Sequence, residues 1–271
     1  MLRLTLVLVA LLLFVGCGGG ESRVKPSPLP DRLQRLFDYE RDAPLDLRRQ
    51  RHLHHQGVTV DDITYAGRGG RVAAFLIVPD GRGKRAGVVF VHGYGGSRYD
   101  FLAEGVGVSV LGADVVTITM PFSPRSPGVP GLRMVNTVVG IRRAIDLLLE
   151  RDDVDPDRLA VVGYSLGAQA AALVAGVEDR LRAAILQAPP ARLDGAGASF
   201  DTLQYVRHAA PATLFVQGAQ YDEGVPPEDV RALIAAAPRP VDYEWYPTTH
   251  SFNQAAFRDQ VAWLRDHLDL R

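Results

Sequence analysis

The pentapeptide Gly163-Tyr164-Ser165-Leu166-Gly167 constrains this chain more than any other stretch. It follows the apolar run Leu159-Ala160-Val161-Val162 and opens the small-residue stretch Ala168-Gln169-Ala170-Ala171-Ala172-Leu173-Val174-Ala175. A serine on a sharp strand-to-helix turn needs glycine on both sides, because side chains at 163 and 167 would collide with neighbouring backbone. In this context the pentapeptide reads as a nucleophile elbow. A chain with 27 glycines produces the bare pattern by chance, so the rest of the sequence must support it.

The surrounding pattern predicts alternating strands and helices. Residues 58–65 and 71–78 flank Gly67-Arg68-Gly69-Gly70 and predict a β-hairpin. Residues 87–91 form a continuous apolar run, as expected of a strand buried on both faces. Further strands are predicted at 113–120, 159–163, 183–187, 212–217 and 241–246, and helices at 101–111, 135–151, 230–237 and 255–268. Two antiparallel strands followed by this alternation imply right-handed crossovers and a mostly parallel sheet with helices on both faces. At 271 residues the chain suits one α/β domain behind a short leader. Its 47% hydrophobic and 23% charged residues exclude a disordered chain. A net charge of -1 without a basic block points to no nucleic-acid partner.

Arg3 followed by an apolar stretch over residues 4–15 is typical of a signal peptide and too short to span a bilayer comfortably. The stretch ends in Leu13-Phe14-Val15-Gly16-Cys17, which resembles a bacterial lipobox with Phe14 where leucine is usual. Cys17 is the only cysteine. The expectation is a signal peptide over 1–17, lipidation of Cys17 and anchoring to a membrane of the bacterial cell envelope, outside the cytoplasm. An ordinary secretory signal is the alternative. Residues 18–30 read as a tether and 31–271 as a single domain, opening with a short helix near 31–39. The basic stretch 48–55 contains His52, His54 and His55 without acidic or cysteine partners at ligand spacing, so it reads as a solvated surface segment and no metal is expected.

Serine is a poor nucleophile unless a base takes its proton, so the elbow demands a histidine within reach. Of seven histidines, His250 stands apart: it lies directly after the strand predicted at 241–246, and reactive groups gather at the carboxyl ends of parallel strands. The base needs a carboxylate to orient it. Asp222 follows the strand at 212–217, with neighbouring Glu223 as its rival. The order Ser165, Asp222, His250 is the one used by hydrolases with a strand–elbow–helix nucleophile. Acyl transfer also requires donors for the developing oxyanion. The backbone N–H of Leu166 and that of Tyr94, within His92-Gly93-Tyr94-Gly95-Gly96-Ser97, are the candidates. His92 is then structural, bonding to the loop backbone.

Together the loop His92-Gly93-Tyr94-Gly95-Gly96, the elbow, Gly218 with Asp222 and Val225-Pro226, and His250-Ser251-Phe252 resemble the α/β-hydrolases of the dienelactone-hydrolase and acetyl-xylan-esterase-like type. These neighbour the catalytic domains of prolyl oligopeptidases. The resemblance runs from about residue 58 to the C-terminus. It implies the α/β-hydrolase fold, with an N-terminal antiparallel hairpin, and a Ser165–Asp222–His250 triad without a cofactor. Dienelactone hydrolases use a cysteine nucleophile; Ser165 points instead to ester or peptide substrates. Only about twenty-five residues separate the strands at 183–187 and 212–217, room for a small cap near 188–210 and an open site for short acyl esters. The leading expectation is a lipid-anchored serine carboxylesterase acting on small-molecule esters. A peptidase or amidase, and a non-catalytic lipoprotein that binds an envelope partner, are the alternatives. The proline-rich loop from 121 carries Arg125, which could meet an anionic substrate but more simply faces solvent.

Overall fold

The structure, a computed structural model, describes residues 28–123, 126 and 128–271. The leader, Cys17, the tether up to residue 27 and Arg125 lie outside the described residues. Nine strands form one sheet: β1 (Arg48–His55), β2 (Val58–Gly67), β3 (Gly70–Pro79), β4 (Arg85–Val91), β5 (Ala113–Ile118), β6 (Val154–Tyr164), β7 (Ala183–Gln187), β8 (Thr213–Ala219) and β9 (Val241–Tyr246). Their order is β1-β2-β3-β5-β4-β6-β7-β8-β9. The first three are antiparallel, β3 is antiparallel to β5, and β4 through β9 run parallel. The helices are α1 (Asp31–Gln34), α2 (Leu102–Val110), α3 (Pro130–Leu149), α4 (Leu166–Val177), α5 (Thr202–Val206), α6 (Pro227–Ala236) and α7 (Gln254–Leu268).

The apolar runs of the central strands divide by alternation between two cores. Val89, Val91, Val161 and Leu186 join the core that also holds residues of α3, α4 and α6. Val88, Phe90, Val162 and Ile185 join the one that holds residues of α2 and α7. Strands with both faces covered need no polar alternation, which is why these runs are continuous.

Three departures from the sequence reading have physical causes. Residues 48–55, expected as a solvated segment, form the edge strand β1, with every side chain exposed. The strand pairs with β2 alone and buries neither face, so hydropathy carries no trace of it. His52 meets Asp61 at 2.6 Å, beside Arg49 at 3.0 Å from the same carboxylate. Helix α3 starts at Pro130, five residues before the expected 135, because proline tolerates the first helical turn where no N–H is needed. Leu29, in the stretch read as tether, is buried in the same core as Leu33 and Phe37.

The junction of β6 and α4 is the tightest in the chain. Ser165 adopts φ 53° and ψ -121°, a conformation strained for any residue with a side chain. Its N–H donates to the Gln187 carbonyl at 2.8 Å, while its own carbonyl accepts from Ala168 and Gln169. A Cβ on Gly163 would overlap the Gly167 carbonyl, and one on Gly167 would overlap the carbonyls of Val91 and His92. At the other end of α4, Glu178 is buried and takes Arg142 at 3.1 Å and Arg180 at 2.7 Å. Arg180 also reaches Asp146, while Arg142 and Arg143 donate to the carbonyls of Phe37, Arg41 and Ala43. This network ties the N-terminal segment to α3 and α4. Burial pushes the Glu178 carboxyl up, but the two arginines outweigh it and hold its pKa at about 2.

Two stability outcomes are expected. Gly163→Ala places its methyl against backbone that cannot yield, and should cost about 3 kcal/mol or more in thermal or urea unfolding. Glu178→Gln takes the carboxylate from partly buried Arg142 and leaves Arg180 with Asp146 alone, and should cost about 3 kcal/mol at neutral pH. A depressed carboxyl pKa stabilises above the unfolded-state value and loses that effect as pH falls through the folded one. The difference from wild type should therefore shrink as pH falls from 4.5 towards 2.

Candidate active site

The loops after β4, β6, β8 and β9 converge at the carboxyl edge of the sheet. This is where the strand order reverses around β4, the place at which open parallel sheets form crevices. The strained turn lifts the Ser165 side chain clear of the sheet. Its Oγ lies 2.9 Å from His250 Nε2, and His250 Nδ1 lies 3.0 and 2.9 Å from the two Asp222 oxygens. The three side chains that sequence order singled out thus form one hydrogen-bonded chain. Asp222, not Glu223, faces the histidine; Glu223 is exposed. The Asp222 carboxylate is almost fully buried, and Oδ1 accepts the N–H groups of Gly224 and Val225, each at 2.8 Å. Those two donors fix the carboxylate in orientation before any ligand arrives.

Sequence reasoning missed how His250 is held. Tyr164 OH donates to the His250 carbonyl at 2.9 Å, and its ring lies 5.1 Å from the imidazole. Burial, followed by the nearby charge of Asp222, pushes the Tyr164 hydroxyl pKa up, so it stays a donor. The acceptor is a backbone carbonyl, so no residue type in the sequence signals this contact.

The His92 loop lies directly against the elbow: a Cβ on Gly93 would come within 3.4 Å of Ser165 Cβ. The loop is pinned by Gly95 N–H donating to the Phe122 carbonyl at 2.8 Å. His92 is buried, accepts the Met120 N–H at Nε2 (2.8 Å) and donates from Nδ1 to the Gly93 carbonyl (2.6 Å). Burial lowers its pKa and keeps the ring neutral. The N–H of Leu166 opens α4, where first-turn N–H groups have no intrahelical acceptor, and Tyr94 N–H lies in the facing loop. Among the described residues no three metal-ligating side chains cluster.

Behind the crevice a side-chain chain links three strands and α7. Gln187 Nε2 donates to Gln217 Oε1 at 3.0 Å; Gln217 Nε2 donates to Tyr246 OH and to the Ala256 carbonyl; Tyr246 OH donates to Asp259. Residues 188–210, between β7 and β8, hold a single 3-10 turn (Ala198–Phe200) and α5. The short α5 is capped by the Asp201 side chain.

The description "Alpha/beta hydrolase family" applies to the family model that matches residues 88–269. A comparison with curated proteins gives no match. Among solved structures, the chain is similar to the acetyl xylan esterase from Paenibacillus sp. R4, with TM-score 0.73, 18% identity, and 88% of this chain and 93% of that one covered. It is also similar to acetyl xylan esterase 1 from Thermoanaerobacterium sp. JW/SL YS485, with TM-score 0.70, 17% identity and coverage of 89% and 95%. A third is a cold-adapted esterase from an Arctic intertidal metagenomic library, with TM-score 0.69, 14% identity and coverage of 82% and 99%. The matched region runs from β4 to the end of α7 and contains the elbow and both loops that meet it, and on that ground the chain belongs to the alpha/beta hydrolase family.

Proposed function

We propose that this protein is a serine hydrolase that cleaves carboxylic esters of small or short-chain acyl groups. The observation that carries the reading is the unbroken hydrogen-bond chain from Ser165 Oγ through His250 to a buried, clamped Asp222. In this mechanism His250 Nε2 takes the Ser165 proton as Oγ attacks the ester carbonyl. Asp222 accepts the Nδ1 proton and stabilises the imidazolium. The tetrahedral oxyanion is received by the N–H groups of Leu166 and Tyr94, each worth about 3 kcal/mol in such sites. Collapse releases the alcohol, protonated by His250, and leaves an acyl group on Ser165. Water, deprotonated by the same imidazole, then frees the acid. The small excursion at 188–210 supports an open site for compact esters over one that measures out peptides. The similar solved structures are of esterases, which favours the same class. Cys17 would carry the lipid that holds the enzyme at the cell envelope.

A fluorophosphonate probe should label the wild type and leave Ser165→Ala unlabelled. A panel of p-nitrophenyl esters, thioesters and dipeptide amides should show turnover concentrated on short-chain esters. Preferred amide cleavage would favour a peptidase, and absence of both labelling and turnover would leave a binding lipoprotein. Asp222→Asn should fold normally and lower kcat on the order of ten-thousandfold, the loss a triad aspartate produces in serine proteases. For the anchor, Cys17→Ser should move the protein from the membrane fraction to the soluble fraction of expressing cells; an unchanged distribution would reject lipidation.

A further inference from the structure

Ser165 and His250 belong to parts of the sheet that do not pair. Ser165 follows β6, and His250 follows β9, three places along the strand order. At about 4.8 Å per strand, the loop after β9 must carry the base back across roughly 14 Å of sheet. Strand pairing alone therefore leaves the 2.9 Å contact between His250 Nε2 and Ser165 Oγ undetermined.

The loop's other hydrogen bonds run toward β8 and β9. Thr248 donates its N–H to the Tyr246 carbonyl and its hydroxyl to the Ser251 carbonyl, and its own carbonyl accepts the Tyr221 N–H. With Asp222 on His250 Nδ1, these contacts join the loop of the acid and the loop of the base into one unit. None of them reaches β6. Among the described residues, the main chain of this loop has one hydrogen bond to β6: Tyr164 OH donates to the His250 carbonyl at 2.9 Å. No backbone N–H among the described residues donates to that carbonyl. The Tyr164 ring is held in turn. It lies 5.1 Å from the imidazole and 6.3 Å, edge-on, from Phe252, which meets Tyr246 at 5.8 Å. It also packs against the loop after β4, where a Cβ on Gly93 would come within 3.1 Å of it.

We propose that Tyr164 is a positioning residue for acyl transfer. Its hydroxyl ties the backbone from which His250 projects to the strand that presents Ser165, and so sets the distance at which the imidazole meets the nucleophile. The inference rests on the serine-hydrolase reading. Asp222 orients the ring but shares the loop unit of His250, so it does not supply this restraint. The restraint matters because proton transfer needs heavy atoms about 2.6–3.2 Å apart. A misplacement of about 1 Å costs on the order of a hundredfold in rate.

Tyr164→Phe in the full-length protein tests this, because it keeps the ring and removes only the tie. Saturating fluorophosphonate probe counts the reactive serines, and hydrolysis of a short-chain p-nitrophenyl ester gives KM and kcat per counted serine. The expected result is a kcat per serine lower by about tenfold, labelling slowed by a similar factor, and KM within about twofold of wild type. A purely structural contact would change the melting temperature or the number of labelled serines and leave kcat per serine alone. Unchanged kcat per serine, or a loss confined to KM, would overturn the proposal. An unlabelled wild type would instead overturn the serine-hydrolase reading itself, and this inference with it.

Discussion

The site depends on an exclusion of volume. With no side chain at 163, the chain can double back from β6 into α4; with none at 167, α4 can press its first turn against the carbonyls that end β4. That one contact brings the strained serine, the free N–H groups of a helix start and the glycine-rich loop after β4 into a single crevice. The unfavourable dihedral angles of Ser165 persist because three backbone hydrogen bonds and two packed cores over-determine them. A buried parallel sheet is well suited to this purpose, since it cannot shift to relieve one turn without disturbing its neighbours.

Two histidines at the crevice differ only in surroundings. His92 is enclosed, accepts one backbone N–H and donates to one carbonyl, so both nitrogens are committed and protonation is disfavoured. His250 is about one-third exposed at its side chain and spends one nitrogen on a buried carboxylate, leaving the other to face Ser165. Residue type alone does not make a base. What does so is a partner for one nitrogen and access for the other.

Much of this was legible in the sequence because the chemistry falls at predictable places. Ser165 and Asp222 each follow an apolar run that reads as a buried strand, His250 follows the alternating segment at 241–246, and the order of the three then restricts the choice. Elements without an apolar signature were not legible. Strand β1 is polar on both faces and exists through backbone pairing with β2. The start of α3 at Pro130 rests on cap chemistry inside a proline-rich loop that reads as irregular. Leu29 sits among glycine, serine and proline residues, and a single leucine there has no period to announce its burial. The clamp on Asp222 and the hold of Tyr164 on His250 use backbone groups, which every residue possesses and no sequence displays.

The paired amides of Gln187 and Gln217 have a consequence for how the sheet assembles. The carboxyl halves of β7 and β8 are short and almost uniformly apolar, and residues 187 and 217 stand opposite each other in register. Sliding one strand by two residues would preserve which side chains face each core, so hydrophobic burial alone discriminates poorly against that misalignment. The slip would, however, part the two amides and set Gln187 opposite Phe215 or Ala219, whose side chains offer it no hydrogen bond. The glutamine pair therefore acts as a vernier mark on an otherwise smooth rule, admitting a single alignment of β7 with β8, the strand that leads to Asp222.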